Sequence, residues 1–388
     1  MNEKNLNVFV DFGSSKIRLG VYNNETSKNI FVLEKDCISN FSLKNFDIKN
    51  SSQIIKDLIK SAEKKITNHI KNINLMIDTP DMFSIDISIK KNSDNRQYSE
   101  NDIISLLNEA KSLVQKNYFN QKVIHMIVKK FVFDEEEFFE IPKKEIYYSS
   151  LIIELKFICF SEKIWKNLQD SFNGNYLNID NLYCSSYVRS SSYNSLFNDF
   201  KKKVILDIGY GKSAITVFQD NRILYFNILP VGGKHITNDI SILLKISSED
   251  AENLKKNLNQ TNTTFENKIK KINQTNSSDL SNQVIFARVD EIIKLNLADQ
   301  YFNAFFQNKD SCVLIFIGEG SKILHKNSIY LEEKFGFFDE IIFFEENSNI
   351  ICESSFNFKQ LDKSQEVSFL TKKPKNKGFF ERFFHFFN

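Results

Sequence analysis

Glycine is scarce in this chain: its 388 residues include 11, where average usage would give roughly 27. Proline (4) and tryptophan (1) are also sparse. The five cysteines, Cys37, Cys159, Cys184, Cys312 and Cys352, lie far apart and form neither a disulfide framework nor a CxxC metal pattern. They fit a reducing compartment. No run of about 18 apolar residues occurs. Residues 1–5 lead into a strand-like segment without a signal-peptide core, so the chain is expected neither to leave the cell nor to span a membrane. Neither sign of charge dominates: 51 Lys+Arg against 49 Asp+Glu leave a formal charge of +2, and no nucleic-acid partner is expected. Phenylalanine is the abundant residue, with 38 copies beside much Ile, Lys and Asn, and reads as a coding bias. With 41% hydrophobic residues the chain can bury a sizeable core, and its length favours two lobes or more.

Seven of the 11 glycines fall in three short windows, at Gly13, at Gly209, Gly211, Gly232 and Gly233, and at Gly318 and Gly320. The first two windows belong to an internal repeat. Asn7-Val8-Phe9-Val10-Asp11-Phe12-Gly13-Ser14-Ser15-Lys16 aligns with Lys203-Val204-Ile205-Leu206-Asp207-Ile208-Gly209-Tyr210-Gly211-Lys212, sharing three apolar positions ahead of the Asp, the Asp itself, the Gly and the Lys. Each copy reads as a buried strand, an Asp-x-Gly turn and a second strand: a β-hairpin. Small turn residues let backbone N–H groups approach phosphate oxygens, and Lys16 adds a point charge. An Asp facing those phosphates is unfavourable unless a cation lies between them, which makes Asp11 and Asp207 candidates to hold Mg²⁺ through water. Two unrelated hairpins remain the simpler alternative for either copy alone; the duplication favours a nucleotide cleft.

These motifs resemble the actin, Hsp70 and hexokinase superfamily, and within it the FtsA family of bacterial cell-division proteins. Asp11 to Ile17 is similar to the family's DxGTSK, and Asp207 to Ser213 to its second phosphate motif. Leu229-Pro230-Val231-Gly232-Gly233-Lys234-His235-Ile236-Thr237-Asn238-Asp239-Ile240 resembles PxGGxxITxDI. Asp250 to Lys255 resembles the AExLK helix, whose Glu and Lys, here Glu252 and Lys255, face the adenosine. Arg288-Val289-Asp290-Glu291-Ile292 resembles RxxEI, and Ile317-Gly318-Glu319-Gly320-Ser321 the adenine loop TGGGS. The chain departs from the pattern at Tyr210, Lys212, Ile317 and Glu319; Lys212 can still meet a phosphate, and Ser213 can supply a hydroxyl. Hydrolysis also needs an oriented water, and no motif identifies the residue that orients it.

The resemblance implies an α/β, actin-like (ribonuclease H-like) two-lobed ATPase fold with an inserted α+β subdomain of the 1C type. The first lobe would take residues 1–80 and 161–200, the insertion 81–160, the second lobe 201–230 and 311–352, and its upper subdomain, 2B, residues 231–310. Within the insertion, Tyr98-Ser99-Glu100-Asn101-Asp102-Ile103 reads as a helix start continued by Leu106, Leu107, Ala110 and Leu113. Val123 to Val128 and Phe131 to Asp134 read as strands, and His125, inside an apolar strand, is given no chemistry. The stretch from Asn257 to Gln283 is polar and lacks apolar periodicity.

A basic polar linker, 353–377, leads into a final segment, 378–388. At about 100° per residue, Phe379, Phe380, Phe383, Phe384, Phe386 and Phe387 lie on one arc and Glu381, Arg382, His385 and Asn388 on the other. So short an amphipathic helix needs a surface. Burying one Phe fully gives about 1.5–3 kcal/mol, and each nearby Lys roughly 1 kcal/mol on an anionic leaflet. Packing on the protein's own core is the alternative. FtsA proteins end in a similar membrane-targeting helix.

The implied protein binds ATP and Mg²⁺ with at most weak ATPase activity. It lies at the division site on the cytoplasmic face of the inner membrane and polymerises head to tail. It recruits FtsZ by its C-terminal tail, through the upper subdomain near Arg288 and Lys294, and meets anionic lipids and, through 1C, other divisome proteins. Alternatives are a PilM-like pilus-assembly adaptor, an actin-fold metabolic kinase, for which no catalytic Asp signature is present, and a nucleotide-free scaffold.

Overall fold

The computed structural model describes residues 6–37, 48–142, 145–257, 277–297, 310–324 and 335–360. The phenylalanine-rich segment, most of the linker and most of the polar stretch from Asn257 lie outside the described residues. The chain forms two compact units, one of Met1–Ile70, Met76–Phe83 and Cys184–Gln360, the other built on Lys71–Leu75 and Ser84–Tyr183.

In the first unit β1 (Leu6–Phe12), β2 (Lys16–Asn23) and β3 (Lys28–Asp36) form an antiparallel meander, followed by α1 (Ile48–Ile66). A second meander, β10 (Lys202–Ile208), β11 (Ser213–Gln219) and β12 (Arg222–Leu229), is extended by β13 (Cys312–Ile317), parallel to β10, and β14 (Glu340–Phe343), parallel to β13. Every residue of β10 and β13 is buried, as expected for parallel strands covered on both faces. The cover on one side includes α5 (Gly233–Leu244) and α7 (Ser277–Leu297), whose Ile236, Ile240, Val289 and Ile292 join Val204, Leu206, Leu314 and Phe316 in one core; Ala251 of α6 (Ser248–Asn257) completes it. α4 (Ser185–Asn194) and the closing α8 (Ser348–Gln360) also belong to this unit. Phe356 of α8 stacks on Tyr22 at 4.7 Å and meets Phe9 edge-on, which fixes α8 against the first meander.

The second unit holds most of β4 (Asn72–Ile77), neighboured by β9 (Asn178–Cys184), and a sheet of order β5-β8-β6-β7: β5 (Phe83–Gln97), β8 (Tyr147–Ser161), β6 (Gln121–Phe133) and β7 (Glu136–Phe138). Against it pack α2 (Glu100–Asn117) and α3 (Glu162–Asn173). α2 starts at Ser99, as its sequence predicts, but its buried stripe runs through Ile103, Leu107, Ala110 and Val114; the expected Leu113 is 42% exposed. A 3.6-residue period starting at Ile103 arrives at Val114 rather than Leu113. The two strands expected at 123–128 and 131–134 are one continuous β6, with register shifts at Val123/His125 and Val128/Lys130. His125 is fully buried and stacks on Tyr183 with ring centroids 6.0 Å apart.

Asp102 locks the start of α2. The Ser99 N–H (2.9 Å) and hydroxyl (2.8 Å) donate to one carboxylate oxygen, while Lys91 (2.8 Å) and Arg96 (2.5 Å) donate to the other. Burial alone would raise this carboxyl; the donors outweigh it and hold it well below the usual carboxylate range. Asp102→Asn is expected to cost about 1.5–3 kcal/mol at neutral pH, measured by thermal or denaturant unfolding. A depressed folded-state pKa contributes stability above the unfolded value, so the gap between variant and wild type should close as pH falls below about 4.

Candidate functional site

The two Asp-x-Gly hairpins fold alike because their sequences alternate alike. In the first, Asp11 stands opposite Arg18 and Phe12 opposite Ile17; in the second, Asp207 stands opposite Ala214 and Ile208 opposite Ser213. The same backbone bond closes each turn, from Gly13 N–H to Lys16 O at 3.1 Å and from Gly209 N–H to Lys212 O at 2.9 Å. Both aspartates line one cavity of about 260 Å³, with Gly13, Ser14 and Ser15 of the first turn, Gly209, Gly211 and Lys212 of the second, and Gly318 and Ser321 of the loop after β13. The turns touch directly: the Gly211 N–H donates to Ser14 Oγ at 3.1 Å.

The other predicted residues lie beside this cavity. The ammonium of Lys16 faces β3 and pairs with Glu34 at 2.8 Å. Ser213 is fully buried and accepts a hydrogen bond from Asn296. Gly232 and Gly233 open α5 against the second turn, where the Gly233 N–H donates to Gly209 O at 2.9 Å. A side chain at Gly232 would place its Cβ 2.6 Å from Gly209 O and 2.7 Å from Lys212 N, so this approach needs glycine. Behind it Lys255, 5% exposed, donates to Gly233 O (3.0 Å), Thr237 Oγ1 (2.7 Å) and Glu252 (2.6 Å). Burial lowers the Lys255 ammonium against the pull of Glu252; burial would raise Glu252, but Lys255 and Thr237 reverse this and leave it low. Gly320 stands where a Cβ would lie 2.7 Å from Ile208 O.

Six residues at the cavity were not anticipated from the sequence. Arg18 donates to Asp11 at 2.9 Å, and Ser185 at the start of α4 donates to the other Asp11 oxygen at 2.9 Å. Arg189, one turn along α4, donates to Asp207 and by two bonds of 3.0 Å to Glu346. Asp78, just beyond β4, accepts from Lys212 and from the Ser186 hydroxyl at 2.6 Å, and that hydroxyl also lies 3.0 Å from Asp207. Burial would strip the Arg189 charge, but Asp207 and Glu346 outweigh it and hold the guanidinium protonated. Burial likewise pushes Asp78 up, and Lys212 with Ser186 overturns that, leaving its pKa below normal. A signal for one of the six was present: Asp78 ends a buried strand, Asn74-Leu75-Met76-Ile77, just as Asp11 and Asp207 do.

The glycine and serine turns fit an anionic group. A divalent cation held through water by Asp11 and Asp207, as the sequence suggests, would compete with the chain's own donors. Both Asp11 oxygens are engaged by Arg18 and Ser185, and Asp207 Oδ2 by Arg189 and Ser186; Asp207 Oδ1 alone is buried without a hydrogen-bond partner. Among the described residues no group of three or more His, Cys, Asp or Glu is arranged to hold a metal ion.

Gly318 holds this arrangement together from the loop. Its φ is +86°, its N–H donates to Glu346 at 2.8 Å, and a Cβ there would lie 2.5 Å from Asp207 Oδ1. Gly318→Ala is expected to destabilise the protein by about 1–3 kcal/mol, read by thermal unfolding; an unchanged midpoint would contradict this geometry.

Residues 204–351 match the family model of the cell division protein FtsA. Among curated proteins, FtsA of Bacillus subtilis (strain 168) is 25% identical over 265 residues, covering 66% of this chain and 59% of that protein. FtsA of Streptococcus pneumoniae serotype 2 is 23% identical over 219 residues, 54% of this chain and 46% of that protein. FtsA of Borreliella burgdorferi is 26% identical over 166 residues, 42% and 39% respectively. The matched region spans about half the length of these relatives. Among solved structures, the PilM-PilN type IV pilus biogenesis complex superposes with a TM-score of 0.62 at 12% identity, over 91% of this chain and 96% of that chain, a likeness of fold. The chain is thus similar in sequence to FtsA proteins over residues 204–351 and has the actin-like fold.

Proposed function

We propose that this protein works in bacterial cell division as FtsA does: an actin-fold adaptor that joins FtsZ filaments to the cytoplasmic face of the membrane and helps assemble the septal ring. The family match over 204–351 carries the reading, since it spans the second phosphate turn, α5 and α7. An adenine nucleotide would lie in the cavity between the Asp11 and Asp207 turns, with Glu252, Lys255, Gly318 and Ser321 on the adenosine side.

A surface groove of about 380 Å³ between α5 and α7 supports the partner assignment. Ile242 and Leu243, 76% and 43% exposed, form one wall with Asp239, and Val284, Ala287, Arg288 and Glu291 the other. Exposed aliphatic side chains beside a guanidinium suit an extended peptide with apolar and acidic residues. Arg288 already pairs with Asp239 (2.7 Å) and Glu291 (2.5 Å), so a peptide carboxylate would exchange with one of these. Lys294, 71% exposed at its side chain and 3.7 Å from Asp290, adds positive potential further along α7. The same reading assigns head-to-tail self-association, a 1C role in meeting other division proteins to the α+β unit, and lipid contact to the six terminal phenylalanines. No helix among the described residues is long and apolar enough to cross a membrane, in keeping with peripheral attachment.

Two measurements test this. A peptide of the FtsZ C-terminal tail should bind the full chain, and Ile242→Asp or Arg288→Glu should weaken it about tenfold or more, about 1.4 kcal/mol; equal affinity would sink the groove. Phe383→Asp with Phe384→Asp should abolish co-sedimentation with anionic vesicles, and retained binding would remove the anchor from the proposal.

A further inference from the structure

We propose that the cleft is clamped by the protein's own cations, Arg189 and Lys212, in place of a metal-bound nucleotide, so that its two sides stay together when both nucleotide and divalent metal are absent. The proposal rests on the reading of the cavity as the nucleotide site.

The contacts cross the cleft in both directions. Arg189 reaches from α4 to Asp207 at the end of β10 and to Glu346 after β14. Lys212 reaches back from the second turn to Asp78 beyond β4 and to the Ser186 hydroxyl at 2.6 Å. Ser186 itself ties Asp78 to Asp207, and Ser14 joins the first turn to Gly211 of the second. These groups are shielded: side-chain exposure is 9% for Arg189, 2% for Asp207, 4% for Glu346 and 1% for Asp78.

Ion pairing points the same way. Arg18, Arg189 and Lys212 face Asp11, Asp78, Asp207 and Glu346, so each carboxylate already has a cationic neighbour. A divalent cation reaching both aspartates would compete with Arg18 at Asp11 and with Arg189 at Asp207, placing like charges together in a buried site, which is unfavourable even though Arg189 would keep Glu346. A polyphosphate lying between the turns would have to part Ser14 from Gly211. In the second hairpin Ala214 occupies the position that Arg18 holds in the first, and the guanidinium for Asp207 comes instead from the opposite side of the cleft. That substitution makes the Asp207 ion pair a cross-cleft bond rather than a bond within one hairpin.

The test is thermal unfolding of the full chain after treatment with EDTA, with and without Mg²⁺-ATP, alongside calorimetric titration of ATP. The wild type should melt at the same temperature, within about 1 °C, in EDTA and in Mg²⁺ without nucleotide, and ATP should raise it equally with and without Mg²⁺. Arg189→Met and Lys212→Gln should each melt several degrees lower in EDTA, and Arg189→Met, which frees Asp207, should gain a Mg²⁺-ATP-dependent rise. A wild-type midpoint raised by about 5 °C or more by Mg²⁺-ATP and not by ATP in EDTA would overturn the clamp while supporting the nucleotide site. Variants that melt like the wild type in EDTA would also overturn it. If no form of the protein binds ATP, the nucleotide reading fails alone, because the metal-free melting of the variants still judges the clamp. Should Arg189→Met not fold, Lys212→Gln, at a position with 16% side-chain exposure, decides the question.

Discussion

The guanidinium of Arg189, wedged between Asp207 and Glu346, is the contact on which the arrangement of the cleft depends. It joins a helix that follows the β4–β9 part of the chain to the ends of two strands in the other sheet. Glu346 then receives the Gly318 N–H and the Tyr193 hydroxyl, at 2.8 and 2.7 Å, so the loop after β13 and the C-terminal end of α4 are set by the same carboxylate. A buried charge of this kind tolerates few alternatives, because every displacement leaves an unpaired ion in a medium that solvates it poorly.

Duplication supplies the frame. The second sheet has the order β12-β11-β10-β13-β14, three antiparallel strands followed by two parallel ones, and the first meander, β1 to β3, repeats its opening. Each copy delivers an aspartate at the end of a buried strand and a glycine turn closed by one backbone bond. Two such turns facing one cavity make a site for a polyphosphate; filling the same space with guanidinium and ammonium groups makes a cleft that holds itself. The chain keeps the geometry of the first while carrying the chemistry of the second, and the proposed clamp thereby separates closure of the cleft from nucleotide occupancy.

Local patterns were legible in the sequence and distant pairings were not. The hairpins, the Ser99 start of α2 and the structural character of His125 follow from neighbouring residues, and glycine scarcity made each cluster informative. The α2 stripe ends on Val114 rather than the expected Leu113, because both are apolar and only the helical phase separates them. Lys16 shares the spacing of a phosphate ligand, yet Glu34 and Asp36 on the adjacent strand are nearer anions. Arg189 and Glu346 are 157 residues apart and bear no local mark; a charged residue in a short polar helix reads as solvated until the fold buries it. Asp78 is the exception, since a third apolar strand running into Asp is visible in the sequence.

Hydrogen–deuterium exchange at the backbone amides of Ser186 and Gly209 to Lys212, in protein freed of nucleotide and metal, tests the central claim most directly. The account predicts slow exchange there that Mg²⁺-ATP does not slow further. Rapid exchange in the metal-free protein, suppressed when Mg²⁺-ATP is added, would contradict it.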